Sequence, residues 1–239
     1  MFFSHSIDAP QQEGARPIWS AGGRVGSLGR SVAKAVSRAV LPSSVFVWRG
    51  PIDDSRVALT FDDGPTQLTE AYLSVLARAG ARATFFVLGE QCSRYPGVVT
   101  DIARRGHEIA NHGYSHVTFP RLERAGLLEA ELERTADFLP ANGRRRMVRP
   151  PRGEISLSSL VACAQAGFTT VLWSHDSDDC RTESADDVVR GVIGVDMPGG
   201  SIVLLHEGQT WTLDALPRIL HGLKEAGHEL VTVGELLAR

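Results

Sequence analysis

Val57-Ala-Leu-Thr-Phe-Asp-Asp-Gly-Pro65 is an apolar, strand-like run that delivers two adjacent carboxylates into a Gly-Pro turn. Two like charges side by side at a strand end must be solvated, protonated or compensated by a cation, and each outcome perturbs their pKa values. Asp62 and Asp63 also suit a plainer task, capping a helix that starts near Gln67, because Asp is a good N-cap. The choice between these readings rests on what the rest of the chain brings to the same place.

Working outward, short β-branched and aromatic runs alternate with longer helical stretches beyond Arg56, the pattern of βα units on a parallel sheet. The spacing predicts strands near 57–62, 82–88, 108–111, 146–149, 169–174, 201–205 and 229–232. It predicts helices over 70–79, 97–105, 122–138, 157–166, 185–195 and 213–226. Seven strands interleaved with helices predict an α/β fold, a distorted (β/α)7 TIM-like barrel lacking one of the usual eight units, with an open doubly wound sheet as the alternative. No internal repeat interrupts it, and Gly22-Gly23 and Gly199-Gly200 complete neither a dinucleotide nor a Walker phosphate loop.

The chain's 239 residues, 43% of them hydrophobic, suffice for one large domain over 56–239 with an extension over 1–55. Within that extension, Val25, Leu28, Val32, Val36 and Val40 recur at helical spacing beside a stripe of Arg30, Lys34 and Arg38, and Pro42 ends the pattern. Such a helix over 25–41 either packs its apolar stripe on the domain or lies on an anionic membrane surface. The net charge of −3 gives no global attraction to nucleic acid. Cys92, Cys163 and Cys180 are too scattered for a disulfide framework or a CxxC metal site. Neither a signal peptide nor a run of 18 apolar residues is visible, an expectation of a cytoplasmic protein that a cell-wall substrate would override by requiring export.

Five polar clusters each fall just beyond a predicted strand. After Asp62-Asp63 comes Asn111-His-Gly-Tyr-Ser-His116, whose His112 and His116 are spaced to share one side of a turn. With one of the aspartates they make two nitrogens and an oxygen, a set suited to zinc or a similar divalent ion with an open position. Val148-Arg-Pro-Pro-Arg-Gly153 places Arg149 and Arg152 at a strand end stiffened by Pro150 and Pro151, where Arg149 can pair with a carboxylate. Trp173-Ser-His-Asp-Ser-Asp-Asp-Cys180 gathers Asp176, Asp178 and Asp179, and Ile202-Val-Leu-Leu-His206-Glu207 ends an apolar run in a histidine and an acid. In a parallel barrel these strand ends converge on one face, where active sites are built. Separate structural explanations for each cluster do not account for that convergence.

In order, Thr60-Phe-Asp-Asp-Gly-Pro65, His112-x-x-x-His116, Arg149-Pro-Pro-Arg-Gly153, Asp176-x-x-Asp179 and Leu204-Leu-His206 resemble the five motifs of the polysaccharide deacetylases, the NodB-homology or carbohydrate esterase family 4 proteins. The resemblance spans about residues 56–239. It implies a distorted seven-unit barrel that removes N-acetyl groups from N-acetylglucosamine-type residues of a peptidoglycan- or chitin-like glycan. It also implies one divalent ion, zinc first with cobalt, manganese or nickel as alternatives, held by Asp63, His112 and His116. Asp62 is then the general base, His206 the acid that protonates the leaving amine, Arg149 the partner that orients Asp62, and Asp179 the support of His206. Leu204, Pro151 and Arg152 fall on the substrate side, with the Arg152 backbone N–H as an oxyanion donor and Leu204 lining the acetyl pocket.

The chain departs from the pattern at Arg152, where an aromatic residue is usual, at Cys180, where tryptophan is usual, and at Gly113, where serine or threonine is commoner. An added cation and a lost apolar wall suggest a cleft that prefers an anionic or otherwise unusual glycan over plain chitin. Alternatives are a deacylase or deformylase of another amide, such as a lipid-linked amino sugar, and a non-catalytic glycan-binding module. His5, His221 and His228 read as surface or structural residues, His107 as a hydrogen-bonded residue entering a strand, and His175 stays unassigned.

Overall fold

The computed structural model describes residues 41–140 and 145–238, so the helix expected over 25–41 lies, but for Leu41, outside the described residues. Nine strands are present among them: β1 (Phe46–Val47), β2 (Arg56–Gly64), β3 (Thr84–Val87), β4 (Glu108–Asn111), β5 (Met147–Val148), β6 (Thr169–Val171), β7 (His175–Asp176), β8 (Ile202–His206) and β9 (Glu229–Val231). Every pairing is parallel, in the order β1-β6-β5-β4-β3-β2-β8-β7, with β9 pairing to β2. Ala58 pairs with both Ile202 and Val231, so β8 and β9 lie on opposite edges of β2. The result is a curled parallel sheet, a half-barrel of the expected class.

The two faces of β2 explain the curl. Val57, Leu59 and Phe61 pack outward beneath helices α1 (Thr69–Arg78) and α8 (Thr210–Glu225), among Tyr72, Leu73, Leu76, Leu216, Ile219 and Leu220. Phe61 stacks on Phe85 at 5.2 Å and meets Tyr72 edge-on at 5.3 Å. Ala58, facing the other way, joins Phe86, Ala110, Met147, Val171, Ile202 and Val231 in a cluster closed by Val233 and Leu236 of α9 (Val233–Leu237). With Val47 of β1, residues from eight strands converge there, which makes this the concave face. The small Ala58 and Thr60 leave room on it for a large polar side chain from another strand.

Between these elements run α2 (Gly89–Arg94), α3 (Pro96–Arg104), α4 (Phe119–Arg124), α5 (Leu128–Ala136), α6 (Leu157–Gln165) and α7 (Ala185–Ile193). The single helix expected over 122–138 is therefore two. Gly126, at φ 68°, donates to Glu123 O, and Leu127 donates to Leu122 O, a Schellman ending that stops α4 although the apolar period continues through Leu128 and Leu132. The strand expected over 169–174 stops at Val171, and a separate strand, β7, follows at His175. β6 pairs with β1 and β5, whereas β7 pairs with β8 at the far end of the order, which carries the Asp176–Asp179 segment to the β8 side. No helix among the described residues is long and apolar enough to cross a membrane.

Candidate active site

Asp62 lies on the concave side of β2 with Ala58 and Thr60, and alternation alone would send Asp63 to the opposite side. A register irregularity between Asp62 and Gly64, with Asp63 at φ 73°, turns the second carboxylate back toward the strand ends. The bulge therefore lets two adjacent residues serve one cleft.

Arg149, fully buried at the end of β5, fills the space left by the small residues of β2. Its Nη1 donates to Asp62 Oδ1 at 2.7 Å and to Thr60 Oγ1 at 2.8 Å, and its guanidinium carbon lies 3.9 Å from the Phe86 ring centre. Burial lowers the pKa of Arg149 and the Asp62 carboxylate opposes it, while the guanidinium stays charged. One oxygen of Asp62 is thus fixed, and the other faces His112.

His112 follows β4 directly, and its Nδ1 lies 2.8 Å from Arg149 O. A carbonyl only accepts, which assigns the proton to Nδ1 and aims Nε2 at the carboxylates. Nε2 lies 3.4 Å from Asp63 Oδ1 and 3.7 Å from Asp62 Oδ2. His116 Nε2 lies 3.3 Å from the same Asp63 oxygen, brought there by a left-handed turn with Gly113 at φ 83° and His116 at φ 59°. Glu131 on α5 holds that turn by accepting from the N–H groups of Tyr114 and Ser115.

Burial raises the Asp63 carboxyl, but contact with His112, aided by the charges of His206 and His116, holds it well below the usual range. Burial pushes His112 down, and the Asp62 and Asp63 carboxylates push it up further; at His116 burial wins, and its pKa is lowered. Asp63 Oδ1, buried between two imidazole nitrogens, has no hydrogen-bond partner among the described residues. A carboxylate oxygen without a partner, flanked by two nitrogens free to bind, fits a divalent cation, and Asp63, His112 and His116 can hold one together.

The second half of the site grows from β8. Asp62 and His206 are register partners on β2 and β8, so their side chains emerge side by side. His206 Nδ1 lies 2.7 Å from Asp179 Oδ1, and Asp179 Oδ2 accepts from His206 N at 2.8 Å and Thr212 Oγ1 at 2.9 Å. The indole N–H of Trp211 fixes the backbone of the same residue by donating to Asp179 O at 2.8 Å. Burial lowers the His206 pKa, but the Asp179 carboxylate more than offsets it and raises the imidazole to about 9.

Leu204, buried two residues before His206, shares its face, and Pro151 is buried beside the exposed Arg152, which sits at φ 61°. Asp176 accepts from Asp178 N, and Asp178 pairs with Arg181. His107 accepts from Ala83 N, and His175 lies within hydrogen-bonding distance of Ser174 and Asp196, so neither joins the site.

Residues that sequence reasoning did not assign are Glu131, Trp211, Thr212 and Glu207. The first three lie on helices with ordinary amphipathic spacing. Glu207 was visible only as an acid beyond an apolar strand. It is buried, its Oε1 accepts from Thr69 Oγ1 at 2.7 Å, and burial, supported by the Asp63 charge, raises its carboxyl to about 8.

The sequence profile of the polysaccharide deacetylases matches residues 49–171. The chain is 36% identical over 199 residues to a peptidoglycan-N-acetylglucosamine deacetylase of Bacillus cereus, covering 79% of this chain and 70% of that protein. It is 31% identical to a chitooligosaccharide deacetylase of Bradyrhizobium sp., covering 78% and 93%. A crystal structure of a peptidoglycan N-acetylglucosamine deacetylase bound to an N-oxidanyl benzamide superposes with a TM-score of 0.73 at 33% identity, covering 81% of this chain and 93% of that one. The fold and these matches define a hydrolase of the deacetylase class. The chain belongs to the polysaccharide deacetylase family, whose members are metal-dependent.

Proposed function

We propose that this chain hydrolyses the acetamide of N-acetylglucosamine-type residues in a polysaccharide or oligosaccharide, with peptidoglycan favoured by the identity to the Bacillus cereus relative. The observation that carries the reading is Asp63 Oδ1, without a hydrogen-bond partner among the described residues, between His112 and His116 and next to a buried Asp62–Arg149 pair and an Asp179-supported His206. Asp63, His112 and His116 would hold a divalent cation, zinc first on the basis of two nitrogens and an oxygen. When bound there, the cation supplies Lewis acidity toward the attacking water and the acetamide oxygen.

The remaining steps belong to side chains. Arg149 holds Asp62 Oδ1, so Oδ2 is the oxygen that takes a proton from the attacking water. As the acetamide carbon–nitrogen bond breaks, His206 delivers the proton on Nε2 to the leaving amine, its Nδ1 hydrogen being held by Asp179. A pKa of about 9 keeps His206 protonated while Asp62 is paired as a carboxylate with Arg149, the opposed protonation states that a base and an acid need. Charge developing on the carbonyl oxygen is met by the backbone N–H of Arg152. Leu204 and Pro151 supply apolar surface for the acetyl methyl and the glycan.

Arg152 favours an anionic glycan, since its charge already acts on His116 and Cys180 beside Asp179 is exposed where a larger residue would close the wall. Equal activity of wild type and Arg152→Ala on charged and neutral acceptors would count against this refinement. The main reading is tested by acetate release from peptidoglycan and N-acetylglucosamine oligomers, using chelated and zinc-reloaded protein. Release that requires zinc and disappears in Asp62→Asn supports it; no release by zinc-loaded wild type refutes it.

A further inference from the structure

Glu207 is the buried acid that this mechanism leaves without a task. It follows His206 at the end of β8, and its backbone N–H donates to Asp62 O at 2.9 Å. Strand alternation sends its side chain to the opposite side from His206, beneath the turn that leaves β2. There Thr69 Oγ1 donates to Glu207 Oε1 at 2.7 Å and itself accepts from Thr66 N at 2.8 Å, so one chain of hydrogen bonds ties the end of β8 to the segment after Pro65. A Cβ placed on Gly64 would lie 1.5 Å from Glu207 Oε2. The glutamate therefore occupies the space that Gly64 leaves empty. Oε2 has no hydrogen-bond partner among the described residues.

These contacts meet the chain on both sides of Asp63, the residue whose left-handed backbone carries the partnerless oxygen. Asp62 is held through its carbonyl, and Gly64 is backed by the carboxyl group itself. A left-handed φ at a non-glycine residue persists only where its surroundings over-determine it. We propose that Glu207 is a positioning residue, a wedge beneath Gly64 that holds Asp63 at the geometry needed to bind the cation. The inference rests on the reading of Asp63, His112 and His116 as the cation site. It also accounts for glycine at 64, where any Cβ would displace the wedge.

The test is zinc affinity by calorimetric titration of the chelated full chain, a readout separate from glycan turnover. Glu207→Ala removes both the wedge and the acceptor and is expected to weaken zinc binding by about 10-fold or more, the usual scale for residues that orient metal ligands. Glu207→Gln keeps the shape and an acceptor for Thr69, and should recover most of the affinity lost in Glu207→Ala. Thr69→Val, which removes the hydroxyl that orients Glu207, should weaken zinc binding in the same direction and decides the matter if Glu207→Ala does not fold. Wild-type affinity in folded Glu207→Ala, or in Thr69→Val where that variant decides, overturns the inference and leaves the cation site standing. Absence of zinc binding by wild type overturns the site and this inference together.

Discussion

Two groups of carboxylate and imidazole stand on neighbouring strand ends, and either one looks able to hold a cation by proximity: Asp63 with His112 and His116, and Asp179 with Cys180 and His206. Their hydrogen bonds separate them. Asp179 gives one oxygen to His206 Nδ1 and the other to His206 N and Thr212 Oγ1, so both of its oxygens are engaged before any ligand arrives. Asp63 Oδ1 is buried, flanked by two imidazole nitrogens and without a hydrogen-bond partner among the described residues. The same residue types thus yield a support for a proton donor in one place and a set of candidate ligands in the other. A carboxylate with both oxygens engaged orients its histidine, whereas one with an unengaged buried oxygen is available to an ion.

The comparison can be broken by substitution, and the largest expected effect is on the base. Asp62→Asn should lower acetate release by about 10²–10⁴-fold with zinc binding retained, because it removes a proton acceptor and no ligand. A loss of zinc affinity in that variant would move Asp62 into the ligand set. Arg149→Met should cost about 3–5 kcal/mol in chemical denaturation, since it strands a buried Asp62 carboxylate. A cost below about 1 kcal/mol would mean that water reaches the pair.

On the Asp179 side the effect is on pH. With His206 at about 9, the rate should fall on the alkaline side as pH rises through that value and the imidazole loses its proton. Asp179→Asn should move this limb down toward the ordinary histidine value of 6.5; an unmoved limb would assign it to another group. The smallest expected effect is on the stability of chelated protein. The folded-state pKa of His206 exceeds the ordinary histidine value of 6.5, so its contribution is fully present below 6.5 and is lost as pH rises to about 9. Glu207 also binds its proton more tightly when folded, with a value of about 8 against 4.5, so stability falls as pH rises across that window as well. The melting temperature should therefore decline from pH 6.5 to 9, less steeply in Glu207→Gln, and a rise over that range would contradict both assignments.

The contrast between the two carboxylate groups also marks what could be read in the sequence. The strand period of residues 57–62 and the position of each polar cluster just past a strand were enough to bring Asp62, Asp63, His112, His116, Arg149, Asp179 and His206 to one face. Which aspartate turns toward the histidines depends on a bulge and a positive φ, and periodicity carries neither. Two-residue strands such as Phe46–Val47 and His175–Asp176 have no period to detect, and their pairing is set by the curl of the sheet. The break at Gly126 was masked by leucines that keep helical spacing across it. Glu207 was hidden for a different reason: an acid beyond a strand usually faces water, and only the empty side of Gly64 shows where this one goes.

The most direct test of the account is a zinc titration of chelated wild type, Asp63→Asn and Asp179→Asn, followed by calorimetry. We expect one tight site in wild type and in Asp179→Asn, and loss of that site in Asp63→Asn. Tight zinc binding that survives Asp63→Asn but is lost in Asp179→Asn would contradict the account and place the cation on the His206 side.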